Sequence, residues 1–440
     1  MKNDNKRTLT PKLRFPEFRD KPGWEEKPLK KLAALINERV GTAKCTPYTV
    51  TSGVGLVSQQ EKLGRSIAGN SFKNYVRLKK NDFAYNKSAT KAFPQGYIAR
   101  YLDDDAAAVP NSIFTCFRVD ENEVDPAYLD YLFAGNLHGK WLKKFLTIGA
   151  RAHGSLNVDD DDILSLPVPL PGGRLSSAEQ QKIAACLSSL DGLIAAEGRK
   201  LEALHTHKKG LMQQLFPHPG ETRPRLRFPE FRNAPEWITL PLGDLLSRKP
   251  EYGVNAPAVP FSEELPTYLR ITDIDDDGHF IAENKVSVNI EATEDNYLNE
   301  GDIVLARTGA SVGKSYRYQQ EDGRLVFAGF LIRLSPNPKK LISALLSHYI
   351  STSQYWDWVR ATSARSGQPG INGTEYPTLL VPIPPVNSSE NGLAEQQRIA
   401  DCLSSLDDLI TALTGKLAAL QTHKKGLMQQ LFPSPEEAEA

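Results

Sequence analysis

No run of eighteen apolar residues occurs in this 440-residue sequence, so no segment reads as a membrane-spanning helix. The opening MKNDNKRTLT has no apolar core, and no secretory signal peptide is expected there. Cysteine is scarce. Cys45, Cys116, Cys186 and Cys402 form no CxxC pair and fit no disulfide framework, which points to a reducing compartment and a cytoplasmic location. Net charge is absent too, because 53 Lys and Arg balance 53 Asp and Glu. A zero balance neither favours nor excludes nucleic acid, so the distribution of charge decides. Apolar content of 40% still supports real cores, and the length suggests roughly two to four domains.

Catalytic motifs are equally thin. The eight histidines form no ligand cluster, and His205 and His207 cannot share a helical face, so no metal site is expected. The acidic run at residues 159–162 lacks EF-hand spacing and reads as the start of a turn. No nucleophile elbow accompanies a Ser–His–Asp set. Residues 308–315 read TGASVGKS, close to a phosphate-binding loop. A Walker A loop needs four residues between its first glycine and GK[ST], whereas three separate Gly309 from Gly313. ATP hydrolysis is therefore not expected of this chain.

What the sequence does contain is a repeat. Residues 206–217 read THKKGLMQQLFP, and residues 422–433 repeat them letter for letter, 216 positions later. CLSSLD at 186–191 returns at 402–407, and AEQQKIA at 178–184 returns as AEQQRIA. Apolar residues in each copy follow heptad steps: Ile183, Leu187, Leu190, Ile194, Leu201, Leu204 and Leu211 in the first, Ile399, Leu403, Leu406, Ile410, Leu417, Leu420 and Leu427 in the second. Lys208 and Lys424 interrupt the seam at matching places. Each copy predicts a helix of about 38 residues, roughly 57 Å long at about 1.5 Å per residue. One such stripe cannot bury itself, but two can bury each other, antiparallel if the domains they follow are equivalent. Gly210 and Gly426 lie inside these helices at a cost of about 1 kcal/mol each, which suggests a close backbone approach to the other helix or to a partner. The LMQQLF ends carry Met212, Leu215, Phe216, Met428, Leu431 and Phe432, apolar groups free to cap the other helix or to dock another subunit.

The repeat extends upstream. PKLRFPEFR at 11–19 returns as PRLRFPEFR at 224–232, and Trp24 matches Trp237 at the same offset of 213. Each unit is a short lead-in, a variable body and a long helix. The bodies, roughly 30–165 and 243–379, share little sequence. Both mix short β-branched runs (97–102, 112–119, 285–290, 303–306, 325–334) with helical segments (128–146, 340–360), so each reads as a mixed α/β domain. Each ends in a proline-rich strand, LPVPLP or LVPIPP.

Charge is segregated. Residues 61–100 hold nine basic against two acidic side chains, residues 140–151 four against none, and residues 251–300 two against twelve. Lys79, Lys80, Lys143, Lys144 and Arg151 in the basic stretches are candidate phosphate contacts. The glycine-rich turn offers Arg307, Thr308, Lys314 and Ser315 for a DNA phosphate, with Asn86, Lys87 and Ser88 as counterparts in the first body. Loops ahead of the terminal strands add His153, in RAHGSLN, and Arg365, Gln368 and Asn372, in RSGQPGIN, as groups able to read base edges or simply to fix the strand.

Together the RFPEF–W lead-ins, TGASVGKS, the VPIP strand and the EQQ.IA…LD.LI…KKGLMQQLF helix resemble the specificity subunit of Type I restriction-modification systems, over essentially the whole chain. The resemblance implies two target-recognition domains (1–175 and 218–386), two antiparallel spacer helices (176–217 and 387–433) and a tail at 434–440. It also implies that each domain reads one half of a split, asymmetric double-stranded DNA site while the helices act as a ruler. No catalytic site and no cofactor are implied for the chain itself. The partners would be two modification subunits, which use S-adenosylmethionine to methylate adenine N6, and restriction subunits, which use ATP and magnesium to translocate and cleave. The first body has no TGxxxGK turn as clear as the second, a departure from the pattern that weakens its contact assignments. A coiled-coil scaffold without sequence specificity would explain the helices but not the elaborated bodies. A stand-alone DNA methyltransferase is disfavoured, since the chain lacks both the N/D-P-P-Y/F motif and a cofactor glycine loop.

Overall fold

A computed structural model describes residues 9–145, 156–174, 176–364, 367–386 and 391–433. The chain divides into two compact units, Met1–Glu197 with Lys416–Ala440, and Gly198–Gly415. Each unit is therefore one body plus the start of one long helix and the end of the other.

In the first unit the strands are β1 (Glu25–Pro28), β2 (Ala33–Leu35), β3 (Thr46–Thr51), β4 (Gly55–Ser58), β5 (Val76–Leu78), β6 (Phe83–Asn86), β7 (Tyr97–Arg100), β8 (Ala107–Val109), β9 (Phe114–Val119) and β10 (Pro167–Leu170). They form four-stranded sheets in the orders β2-β9-β6-β7 and β4-β3-β8-β5, and a β1-β10 ribbon. Pro167 and Pro169 lack N–H donors, which a two-stranded ribbon tolerates. Short helices α1 (Gln59–Leu63), α2 (Pro126–Ala134), α3 (Leu137–Leu142) and α4 (Asp160–Leu164) complete the body. The 128–146 helical segment is thus two helices, broken where Asn136 turns left-handed at φ 63°. The acidic run opens α4, where Asp159 and Asp162 form a capping box. No His, Cys, Asp and Glu grouping that could hold a metal occurs among the described residues.

The second unit begins with the C-terminal half of α5 (Ser176–Leu215) and repeats this plan. Its strands are β11 (Ile238–Pro241), β12 (Glu251–Tyr252), β13 (Ala258–Pro260), β14 (Thr267–Leu269), β15 (Val286–Val288), β16 (Ile303–Ala306), β17 (Ser315–Arg317), β18 (Leu325–Phe327), β19 (Leu331–Leu334) and β20 (Leu380–Ile383). The sheet orders are β12-β19-β16-β17 and β13-β15-β14-β18, with a β11-β20 ribbon. Helices α6 (Ser343–Tyr349) and α7 (Ser353–Ser363) stand where one helical segment was expected, and α8 (Asn391–Leu431) follows β20. The apolar run 325–334 is likewise two strands, because Gly329 interrupts it.

Both long helices end inside a body. Leu215 and Phe216 are 1% and 2% exposed in the second unit, where Phe216 packs against Trp237 and Tyr349. Leu431 and Phe432 are buried in the first, with Phe432 against Tyr128. The LMQQLF ends are thus core, and not free apolar tips. Burying a side chain of this size contributes about 1.5–3 kcal/mol, so twelve identical residues recur because each helix must end in an equivalent socket. The main chain joins in: Leu13 donates to Gln430 at 2.9 Å, and Leu226 to Gln214 at 2.9 Å.

The seam explains its own polar breaks. In the first unit Lys424 of α8 pairs with Asp191 of α5 at 2.5 Å, and Lys416 pairs with Glu197 about two turns on, so the two helices run antiparallel there. In the second unit Lys208 meets Asp407, the same pair displaced by 216. Ile183, Leu187, Ile399, Leu403 and Ile410 are buried, whereas Leu190, Ile194, Leu201, Leu204, Leu211, Leu406, Leu417, Leu420 and Leu427 are half-buried. Two helices alone cover only part of such a stripe.

Gly210 and Gly426 correct an expectation. A Cβ added at either would meet nothing within 4 Å, so no close approach to the other helix accounts for them. Close approach occurs elsewhere. At Gly313, with φ +87°, a Cβ would lie 2.9 Å from Val359, and at Gly253 it would lie 2.2 Å from the Phe327 carbonyl oxygen.

Candidate nucleic-acid interface

The TGASVGKS stretch forms the turn of the β16–β17 hairpin. A strand follows the glycines where a nucleotide-binding loop would place a helix, so the amides needed to cradle a triphosphate are not assembled here. The turn is instead pinned from below, where Tyr355 of α7 donates its hydroxyl to the Gly313 carbonyl at 2.8 Å.

The first body carries the same hairpin as β6–β7. Asp82 and Asp302 precede the two strands and accept the N–H of Lys79 and of Asn299 at 2.7 and 2.9 Å. Lys87 then corresponds to Arg307. Their N–H groups donate to Ile113 and Phe330, and their carbonyls accept from Leu156 and Ile371. His138 takes the place of Tyr355, with Nε2 3.3 Å from the Gly96 carbonyl. Burial pushes its pKa down to about 4, so it is a neutral core group.

On this shared frame the side chains differ. In the second unit the Arg307 guanidinium stacks on Tyr252, 5.0 Å from the ring centroid. The Tyr252 hydroxyl accepts the Gly373 N–H at 2.8 Å. Thr308 bridges to Gly370, and Gln368 is exposed beside Gly309. Asn372 is occupied, because its Oδ1 accepts from Thr374 N, Thr374 Oγ1 and Glu375 N. It fixes the loop, the structural role the sequence left open. Lys314 pairs with Asp276 at 3.1 Å, and Ser315 begins β17.

In the first unit Lys87 pairs with Asp160 at 3.2 Å, and Asn86 accepts the Ser88 N–H at 3.0 Å. Lys79 pairs with Glu38 and Lys80 with Asp104. Such exposed pairs are weak and can yield to a phosphate. Lys143 and Lys144 are exposed, with the Lys144 ammonium over Trp141 at 4.8 Å. Arg151, His153 and Arg365 lie outside the described residues. Of the sequence-predicted groups, the structure brings together Arg307, Thr308, Gln368 and Asn372, and separately Asn86, Lys87 and Ser88.

Sequence reasoning missed several neighbours. Tyr252 and Phe330 are 48% and 57% exposed beside Arg307. Gly329, a breaker inside an apolar run, was the signal for Phe330; nothing in the sequence marked Tyr252. In the first unit a groove of about 460 Å³ is lined by Arg39, Ser71, Asn74, Asn111 and Ser112, next to the exposed Ile113. These amide, hydroxyl and guanidinium groups are suited to base edges.

A family model described as Type I restriction modification DNA specificity domain matches residues 23–206 and 261–422. Two relatives from Methanocaldococcus jannaschii are each 24% identical. The putative type I restriction enzyme MjaX specificity subunit aligns over 72% of this chain and 69% of its own length. The MjaVIII specificity subunit aligns over 70% of each. The fold is similar to the Type I restriction-modification S subunit from M. genitalium, with a TM-score of 0.59 and 15% identity over 97% of this chain and all of that one. It is also similar to a chain from a type I restriction-modification assembly structure, with a TM-score of 0.53 and 17% identity over 94% and 98%. No described helix is long and apolar enough to cross a membrane. The model match spans both units, hairpins and helices alike, and on it the chain belongs to the Type I restriction-modification specificity subunits, the non-catalytic members of those systems.

Proposed function

We propose that this chain selects a split, asymmetric DNA site, with one half read by each body (1–175 and 218–386) and the gap set by the helices (176–217 and 387–433). Modification subunits docked on it would methylate adenine N6 within the site, and restriction subunits would cleave DNA that lacks the mark. One observation carries the reading. The same hairpin frame occurs twice, with Lys87 paired to Asp160 beside Ile113 in one unit and Arg307 stacked on Tyr252 beside Phe330 in the other. A common scaffold bearing unlike side chains suits unlike half-sites, as direct readout requires.

The test is selection of bound or methylated sequences from a random duplex library by the assembled modification complex. A two-part motif with a fixed gap is expected, and no enrichment would sink the reading. Inserting seven residues after Glu197 adds about two helical turns, roughly 10 Å, and should lengthen the gap with both half-sites unchanged.

A further inference from the structure

We infer that Arg307 reads a guanine in the half-site facing the second body, held for that purpose by Tyr252. The inference rests on the proposed DNA-selecting role and gives one side chain a base. Arg307 follows β16 at the mouth of the hairpin, and its main chain is fixed on both sides, by N–H donation to Phe330 at 3.1 Å and acceptance from Ile371 at 2.9 Å. Its guanidinium makes no hydrogen bond or ion pair among the described residues, and Nε is buried without a partner. The terminal Nη groups are unpaired too but not buried, so they are the prongs open to an incoming acceptor.

The ring beneath this group is fixed as well. Tyr252 ends β12, and the next residue must be glycine, because the Phe327 and Ala328 carbonyl oxygens come within 2.2 and 2.4 Å of any Cβ at Gly253. With its hydroxyl bonded to Gly373, Tyr252 presents a fixed face, and the guanidinium carbon lies over it, 5.0 Å from the ring centroid. An unpaired guanidinium held over a fixed ring offers the two-pronged donor that matches O6 and N7 of guanine in the major groove; the same fork can grip a phosphate, and base selection separates the two. Phe330, exposed alongside, supplies an apolar contact for a neighbouring base or thymine methyl. Lys87, the equivalent residue in the first unit, carries a point charge in place of a planar fork and is paired with Asp160, so the same two-pronged readout is not expected there.

The experiment compares the assembled modification complex carrying wild-type chain, Arg307→Ala, Arg307→Lys, Tyr252→Leu or Tyr252→Phe, each selected on the same random duplex library at fixed salt. Arg307→Ala should lose the preference for guanine at one position of one half-site, with affinity for the wild-type sequence down about 10- to 100-fold and the other half-site unchanged. Arg307→Lys should not restore that position. Tyr252→Leu should relax the same position, and Tyr252→Phe, which keeps the ring face, should recover most of it. A uniform loss at every sequence, with the salt slope reduced by about one, would make Arg307 a phosphate contact and overturn the inference. So would a wild-type motif without guanine in the affected half. If the wild-type complex selects no two-part motif, the DNA-selecting role itself fails and the inference with it.

Discussion

Arg14 and Glu179 form a two-pronged ion pair, 2.7 Å at each contact, with both side chains at least nine-tenths buried. Arg14 also donates to the Lys21 and Pro22 carbonyls, and the Trp24 indole N–H reaches the same carboxylate at 3.3 Å. Arg227, Glu395 and Trp237 repeat every one of these contacts in the second unit. This accounts for the coincidence of RFPEF–W and EQQ in the sequence: the lead-in clasps the start of the helix that follows its body. The next residue anchors the body. Gln180 accepts the Asp125 N–H at 2.8 Å, and Gln396 accepts the Ile342 N–H at 2.9 Å.

Breaking that clasp from one side should be costly. Glu179→Ala leaves the Arg14 guanidinium buried and uncompensated, and should destabilise the first unit by about 3–5 kcal/mol. Denaturant unfolding followed through Trp24 fluorescence measures it. Arg14→Met combined with Glu179→Leu removes both charges and should recover most of the loss; a double variant as unstable as the single one would show that geometry matters more than charge.

The two helix glycines should behave as ordinary helix interior. With open space around each Cβ position, Gly210→Ala and Gly426→Ala should stabilise the chain by up to about 1 kcal/mol each. Thermal melting of the isolated chain tests this, and a fall in Tm would contradict the open space around both positions.

Gly313 should tolerate nothing larger. Its φ of +87° and the contact with Val359 together predict a loss of about 2–4 kcal/mol for Gly313→Ala, with the hairpin lifted from α7. Protection of the 303–317 amides in hydrogen exchange should fall with it. Unchanged protection would contradict the packing.

Acid should weaken both units. His138 and His348 are held neutral by burial, each with its pKa lowered to about 4. For His348 the attraction of Asp407 opposes burial, and Lys208 and Arg317 add to it. The unfolded chain binds these protons near the ordinary value of about 6.5, so the unfolded state holds more protons below it. Stability present at neutral pH is therefore lost as pH falls from about 6.5 to about 4, by up to about 3 kcal/mol per histidine. Urea unfolding at stepped pH measures the slope, and His138→Phe should flatten it for the first unit.

The repeat, the two long helices, the mixed α/β class and the family were legible in the sequence, because heptad spacing and duplicated motifs are local and survive divergence. The broken helices at Asn136 and between α6 and α7 were not, since helical periodicity runs through both breaks and only packing interrupts it. Lys208 and Lys424 looked like defects in the seam; their partners Asp407 and Asp191 stand about 200 residues away or more, and only the fold brings them together. The same holds at the candidate interface. Arg307 could be named from its motif, but which of its neighbours fix it could not, because Tyr252 at the end of β12 and Phe330 in the turn before β19 lie far from it along the chain. Sequence determined which residues recur. Tertiary structure alone decided which charges are cancelled, which glycines are crowded and which guanidinium is left without an acceptor, because each depends on distances that no spacing along the chain specifies.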